Sequence, residues 1–398
     1  MISVQEALDI IHSNLFVPNI EEVNLIDAVG KVLAEPIYAD RDFPPFNRVM
    51  MDGIAISYEA FEKGRRVFKV QGTQFAGSPQ MHLNDSNHCI EIMTGAMLPS
   101  GTDTVIRYED VITENQEATI TVDTIKIGQN VHNQGLDQKQ GELLIGENTM
   151  IQGAEIGILA TVGKSKVKVY KWPKIAIITT GDELVDVVDE PAPYQIRKSN
   201  SYTIASDLLR MGIKAEVFHF NDDRNVLESK LNSLTKDFDV FLLSGGVSRG
   251  KKDYLPEVFE MLSIKKLFHK VAQRPGKPFW FGKNEDVTVF AFPGNPVSTY
   301  FCFNKYFKSW LYESYKQAEY IPIVELMEDI TFQPDLDYFL QVRVEINDGK
   351  IQAFPDKGNG SGDLSNLLNV NGFMHLPSGR IQFNKGEKFP VILFRSLS

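Results

Sequence analysis

Lys174-Ile175-Ala176-Ile177-Ile178-Thr179-Thr180, followed at once by Gly181-Asp182-Glu183-Leu184, is the stretch on which the reading of this chain turns. Seven residues rich in β-branched side chains, with no alternating polar face, describe a strand buried on both sides. A glycine and two carboxylates at its carboxyl end describe a loop rather than more strand. Outward from it the pattern repeats. Residues 200–211 read as a helix closed by Gly212, 215–220 as a strand and 223–234 as a helix. Residues 239–244 (DVFLLS) read as another apolar strand, 257–262 as a helix behind Pro256, 287–292 as a strand and 297–312 as a helix. Strands alternating with helices predict an open parallel α/β sheet, in which ligands bind outside the carboxyl ends of the strands.

The flanking regions read differently. At the start, Ser3 and Glu6 form a capping box, and Val4, Ala7, Leu8, Ile11 and Leu15 recur at helical spacing. After the turn Phe43-Pro44-Pro45-Phe46 come short β-like runs at 66–70, 88–93, 103–107 and 118–125, then an apolar helix at 153–162. This predicts a β-rich module, 44–137, inserted into a split domain made of 1–43 and 138–170. The α/β ligand-binding domain spans 171–317. Residues 318–398 read as a small β domain, with Asp348-Gly349 as a hairpin turn between alternating runs.

Composition narrows the classes. A net charge of −11 repels nucleic acid and anionic membrane surfaces, so neither is an expected partner. No apolar run reaches the roughly 20 residues that span a bilayer, and the first residues lack the basic and apolar regions of a signal peptide. The two cysteines, Cys89 and Cys302, exclude a disulfide framework and a Cys-based metal motif. They suit a reducing compartment, and a cytoplasmic location is expected.

Three loops at strand ends carry the expected chemistry. They are Thr179-Thr180-Gly181-Asp182-Glu183-Leu184, the run from Ser244-Gly245-Gly246-Val247-Ser248-Arg249 to Asp253-Tyr254, and Phe292-Pro293-Gly294-Asn295-Pro296-Val297-Ser298. Glycines let backbone N–H groups approach a phosphate, and a helix N-terminus favours negative charge. One such loop is an ordinary tight turn; three at one sheet edge point to an anionic ligand. Lys265, Lys266, Lys270, Arg274, Lys277 and Lys283 lie in a stretch, 261–284, without acidic residues, and Arg249, Lys251 and Lys252 lie in the second loop. Read together they make an anion site, with Lys277 held between Pro275 and Pro278; read blandly they are a solvated basic face. Glu183, Asp222, Asp223 and Asp253 are placed to hold Mg²⁺ between ligand phosphates. Helix capping competes for Asp222 and Asp223. Gly246-Val247-Ser248-Arg249-Gly250 matches the nucleophile elbow of α/β-hydrolases. No helix follows it directly and no partner histidine suits it, so that chemistry is set aside. The seven histidines show no metal spacing and read as lone residues.

Taken in order, these motifs resemble the molybdopterin molybdenumtransferase family, the MoeA/gephyrin E-domain type, over essentially the whole chain. Beside the loops above, the resemblance rests on Pro45-Phe46 before Met51-Asp52-Gly53, on Thr94-Gly95-Ala96 with Leu98-Pro99, and on Tyr108-Glu109-Asp110. It rests further on Gly135-Leu136-Asp137 with Gly141, and on Pro275-Gly276-Lys277-Pro278. The chain departs from the family pattern at Asn47-Arg48-Val49-Met50, where an Asp and a Ser-Ala pair are usual, and at Arg274, where Lys is common.

The resemblance implies a multidomain α/β plus β fold: a split N-terminal domain, an inserted β-rich domain, a MogA-like α/β domain and a small C-terminal β domain. It implies a Mg²⁺-dependent transferase of molybdenum cofactor biosynthesis, taking molybdate and adenylated molybdopterin and releasing AMP. It also implies an elongated homodimer with a shared active site, and contact with the upstream molybdopterin adenylyltransferase. The catalytic residues it implies are Asp52, Thr94, Asp137, Glu183, Asp253, Lys270, Lys277 and Arg343. Those implied to bind substrate are Gly181, Asp182, Gly245, Gly246, Ser248, Arg274, Pro293, Gly294, Asn295, Pro296 and Ser298. A scaffolding protein on the same fold, like gephyrin relatives that anchor receptor tails, is the alternative; another nucleotide-processing enzyme would leave the motifs before residue 140 unexplained.

Overall fold

A computed structural model describes residues 1–246 and 254–397. The expectations for Ser248 and Asp253, for the basic residues Arg249, Lys251 and Lys252, and for the elbow-like pattern after Gly246 fall outside the described residues.

The strand that opens the α/β region runs Ile175–Thr180, with all six residues buried. It pairs in parallel with Ala215–Phe220 on one side and Val240–Ser244 on the other, and Val240–Ser244 pairs in parallel with Thr288–Phe292. The side chains alternate between two cores, as the period of two in a strand requires. Ile175, Ile177 and Leu242 share a core with Ile204 and Leu208 of helix Asn200–Arg210, and Phe290 in the same core packs against Phe307 and Trp310 of the helical segment 296–314. Ala176, Ile178, Phe241, Leu243 and Val289 face helices Arg224–Leu234 and Leu255–Met261 through Leu227, Leu231, Val258 and Phe259. With both faces covered, Ile175–Thr180, Val240–Ser244 and Thr288–Phe292 are buried throughout, whereas Ala215–Phe220 at the edge carries Glu216 and His219.

Beyond Thr288–Phe292 the sheet changes character. Trp280–Lys283 pairs with it antiparallel, and Lys265–His269 pairs antiparallel with Trp280–Lys283 to form the edge. The sheet is therefore four parallel strands with an antiparallel pair added at one end. The pair carries a weaker sequence signal because its edge strand opens with two adjacent lysines. Lys265 and Lys266 are exposed there. Charge on an edge strand hinders pairing with another chain, and these two lysines supply it.

The helix expected over 297–312 is interrupted. Pro296–Cys302 is α-helical, Phe303–Phe307 forms a π turn and Lys308–Ser314 resumes. The opening helix Val4–His12 carries the capping box, with Ser3 N–H donating to Glu6 Oε2 (2.7 Å) and Glu6 N–H to Ser3 Oγ (3.1 Å). Its apolar face, Val4, Ala7 and Ile11, packs into the α/β core. The sheet Ile20–Asn24, Lys166–Tyr170, Val32–Leu33 has its own core around Leu33, Ile151, Leu159 and Val167.

Between those halves lies a six-stranded sheet containing Gly53–Ile56, Val67–Gln74, His88–Ile92, Thr104–Arg107, Val111–Glu114 and Glu117–Ile120. The run read as a strand over 118–125 stops at Ile120. At the C-terminus, Asp337–Asn347, Lys350–Pro355, Ile323–Leu326, Lys388–Leu393 and Gly372–Leu376 pair in a ring that closes when Gly372–Leu376 returns to Asp337–Asn347. Asp348 and Gly349 both take positive φ in the hairpin between the first two strands. Among the described residues no helix is long and apolar enough to cross a membrane. Both cysteines are free and buried.

Candidate functional site

The chain leaves Ile175–Thr180 toward one side of the sheet and Val240–Ser244 toward the other. Such a switch point opens a crevice at the carboxyl ends of the strands. A cavity of about 330 Å³ lies there, lined by Gly181, Glu183, Asp222, Gly245, Gly246, Gly294 and Asn295. Beside it a second cavity, of about 300 Å³, is lined by Arg274, Lys277, Ser298, Tyr338 and Lys357. Pro278, Pro293 and Asn295 line both. One chamber thus carries carboxylates and glycine-loop backbone; its neighbour carries three cations. A larger cleft, about 390 Å³, opens at the amino ends of the strands by Trp172, Lys174 and Asp239 and contains none of the glycine loops.

Asn200, at the start of its helix, holds the loops in register. Its Nδ2 reaches Ser244 Oγ (2.7 Å), the carbonyl of Gly294 (2.8 Å) and Thr299 Oγ1 (3.2 Å). One side chain thereby ties the end of the second strand to the third loop. The Asn295 amide donates to Ser361 Oγ (2.8 Å), fastening that loop to the C-terminal domain. The two adjacent aspartates part company. Asp223 is the N-cap of Arg224–Leu234, its Oδ1 accepting from the N–H groups of Asn225 (2.9 Å) and Val226 (3.0 Å). Asp222 lines the cavity and its N–H donates to Asp182 Oδ1 (3.2 Å). Behind them His219 Nδ1 meets Thr179 Oγ1 at 3.0 Å, and burial pushes its pKa down, favouring the neutral ring.

A second constellation occupies the inserted module. The Asp52 carboxylate accepts from both the backbone N–H and the hydroxyl of Thr94, each at 2.7 Å. These bonds, the backbone one foremost, hold its pKa below the usual carboxylate range. Gly53 follows because nothing larger fits: a Cβ there would sit 1.8 Å from the carbonyl oxygen of Ile106 on the paired strand. The strands Arg48–Val49 and Val131–His132 place Arg48 opposite His132. His132 Nε2 lies 2.8 Å from Asp137, and Arg48 Nη2 lies 3.5 Å from His132 Nδ1.

Three family models match this chain in order. Residues 2–163 match the MoeA N-terminal region (domain I and II), 176–312 the probable molybdopterin binding domain, and 324–394 the MoeA C-terminal region (domain IV). A molybdopterin molybdenumtransferase from Synechocystis is 39% identical, with 98% of this chain and 99% of that protein covered. The chain belongs to the molybdopterin molybdenumtransferase family. A Staphylococcus epidermidis relative bearing the same name is 34% identical over 100% of this chain and 96% of its own length. The solved structure of a molybdopterin biosynthesis MoeA protein from Pyrococcus horikoshii superposes with a TM-score of 0.85 at 29% identity, each chain fully covered. The scaffolding alternative is not favoured by relatives that carry the transferase name.

Of the residues that the resemblance implies, the fold brings Gly181, Glu183, Asp222, Gly245, Gly246, Pro293, Gly294 and Asn295 around one cavity, and Arg274, Lys277 and Ser298 around its neighbour. Pro296 begins the helix behind Asn295. Lys270 and Arg343, like Asp182 and Pro296, line neither cavity. Lys270 holds a positive φ of 75° in the turn before the Arg274 loop, its N–H bonded to the carbonyl of Phe279 (2.9 Å). Arg343 stands exposed on the C-terminal barrel, paired with Glu345 and 5.3 Å from the Phe354 ring. No residue before Thr180 lines either cavity, so Asp52, Thr94 and Asp137 form a separate group within the chain.

Asn200, Arg48 and His132 were not singled out for a role by sequence. Their partners come from long-range register, which no local spacing encodes.

Proposed function

We propose that this member of the family transfers molybdate to adenylated molybdopterin, yielding molybdenum cofactor and AMP. The observation that carries the reading is the pair of adjoining cavities, one acidic with glycine-loop backbone and one basic, sharing Pro278, Pro293 and Asn295. An adenylated pterin carries a phosphate anhydride and molybdate is an anion, so the substrates need both kinds of surroundings. Backbone N–H groups of the glycine loops cradle phosphate oxygens without adding charge. Arg274, Lys277 and Lys357 offset the anionic charge next door.

The fit to Mg²⁺ rests on the donor set. The ion is ordinarily held by one or two carboxylates together with substrate phosphates. Glu183 and Asp222 share the cavity, whereas Asp223 is committed to its helix cap. Among the described residues no cluster of three or more metal-capable side chains exists, so an all-protein cage is not what these residues offer. Glu183 and Asp222 would hold the ion, which supplies neutralising charge to the phosphate when bound.

We further propose a homodimer in which Asp52, Thr94 and Asp137 of one subunit face the cavities of its partner. Their separation from both cavities within one chain supports this, and a twofold interface would repeat the pairing at both sites. The upstream molybdopterin adenylyltransferase is the proposed source of the substrate. A reducing compartment suits the two buried free thiols, and the cytoplasm is the proposed location. The test is incubation of the purified protein with adenylated molybdopterin, molybdate and Mg²⁺; release of AMP that requires molybdate is expected, and its absence would reject the assignment.

A further inference from the structure

We propose that Gln273 is a positioning residue: buried in the wall of the basic cavity, with Tyr306 behind it, it fixes the loop that presents Arg274 and Lys277 there. Gln273 and Tyr306 are both fully buried, at 0% exposure. A buried amide is costly unless every group on it is satisfied, and this one is. Its Nε2 donates to the carbonyl of Gly276 (3.0 Å) and lies 3.8 Å from Cys302 Sγ. Its Oε1 accepts the Tyr306 hydroxyl. The carbonyl on one side and the phenol on the other leave only this orientation of the amide.

The loop has little freedom of its own to find this shape. Gly276 takes φ of +84°, and a Cβ there would meet Cys302 Sγ at 2.5 Å and Gln273 Nε2 at 2.9 Å. The backbone is therefore pressed directly onto the Gln273–Cys302 floor. The loop is closed by the Val271 N–H on the carbonyl of Lys277 (3.0 Å), and Gln273-Arg274 pairs in parallel with Asp337-Tyr338 of the barrel. Arg274 and Lys277 flank Gly276 within this frame and both line the cavity. Tyr306 reaches the amide from the π turn Phe303–Phe307, the irregularity in an otherwise α-helical segment. Such turns are frequent where a helix serves a functional site. An apolar residue at 273 would fill the volume but remove the strong donor to the Gly276 carbonyl. The simpler reading, a satisfied core amide with no bearing on the site, predicts a loss of stability alone.

The proposal rests on the assignment of Arg274 and Lys277 to the anionic substrate, and the experiment separates the two. AMP release is measured with KM for adenylated molybdopterin and kcat resolved, at a temperature where every variant is folded by circular dichroism. Arg274→Ala/Lys277→Ala tests the assignment. Gln273→Leu and Tyr306→Phe test the positioning. Gln273→Leu is expected to raise KM about tenfold with kcat changed less than about threefold, and Tyr306→Phe to raise KM about threefold. Added to the Arg274→Ala/Lys277→Ala background, Gln273→Leu should raise KM hardly further, because it acts through side chains already gone. Multiplication of the two effects, or an unchanged KM in Gln273→Leu and Tyr306→Phe, overturns the positioning role while leaving the assignment intact. An unchanged KM in Arg274→Ala/Lys277→Ala overturns both. Should Gln273→Leu fail to fold, Tyr306→Phe, which removes one oxygen, carries the same comparison in the same background.

Discussion

The cavities of the α/β domain and the Asp52 cluster of the inserted module are assembled by opposite means. The first is made mostly of backbone: three loops arrive at the ends of adjacent parallel strands, and the sheet does the positioning. The second is made of side-chain pairs, Asp52 with Thr94 and His132 with Asp137 and Arg48, held by short strands. A backbone site keeps its shape when one lining side chain is removed and loses only that side chain's chemistry. A site of paired side chains loses its geometry with either partner. The proposed function makes both sets part of one reaction, and that is where the comparison can be broken.

The largest effect is expected from single truncations. Glu183→Ala and Asp52→Ala should each lower kcat for AMP release about 10²–10³-fold, the scale seen when a charge-stabilising group is removed. Both carboxylates are exposed in loops or turns, so the melting temperature should move by no more than a few degrees. A variant that unfolds would assign its carboxylate to structure; a near-native Asp52→Ala would detach the module's cluster from the chemistry.

Complementation comes next. When Asp52→Ala and Glu183→Ala proteins exchange subunits at equal amounts, about half the dimers are mixed, and a shared site leaves one intact site in each. About a quarter of native activity should return. No recovery, with exchange verified by mass spectrometry, would mean that each chain builds its site alone.

The contrast between the regions also explains what could be read from sequence. Ile175–Thr180 and Val240–Ser244 announce themselves because a strand covered on both faces must be apolar at every position, and the glycines after them mark the loops. Lys265–His269 is less plain, because an edge strand carries lysines. The Asp52–Thr94 and Asp137 sites came from the resemblance alone, and the Arg48–His132 contact arises from cross-strand register 84 residues apart in sequence. Asn200 meets Gly294 across 94 residues. Asp222 and Asp223 were indistinguishable as adjacent acids; only the direction of the helix start separates the cavity residue from the cap.

A smaller effect sharpens the basic chamber. Lys277→Ala should weaken binding of adenylated molybdopterin by about tenfold, the worth of one charge-assisted contact. Because salt screens charge, the loss should be greater at low ionic strength than at high. Calorimetry giving equal affinities for native and variant protein would remove Lys277 from the site.

The smallest effect concerns protonation in the module. Asp52 is held ionised below the usual carboxylate range, mainly by the Thr94 backbone N–H and secondly by its hydroxyl. A depressed folded pKa contributes stability above the unfolded value of about 3.9 that is lost as pH falls through the lower folded value. The charge on Asp52 should therefore persist into mildly acid conditions. Thr94→Val keeps the shape and the backbone donor and deletes only the hydroxyl. The Asp52 pKa should then rise part of the way toward its ordinary value, and the acid limb of the kcat/KM profile should move to higher pH with the neutral plateau little changed. The backbone donor sets the ceiling on that movement, so a full return to ordinary carboxylate behaviour is not expected. An acid limb that stays in place would show that the group titrating there is not Asp52, and would weigh against its carboxylate having to be charged during turnover.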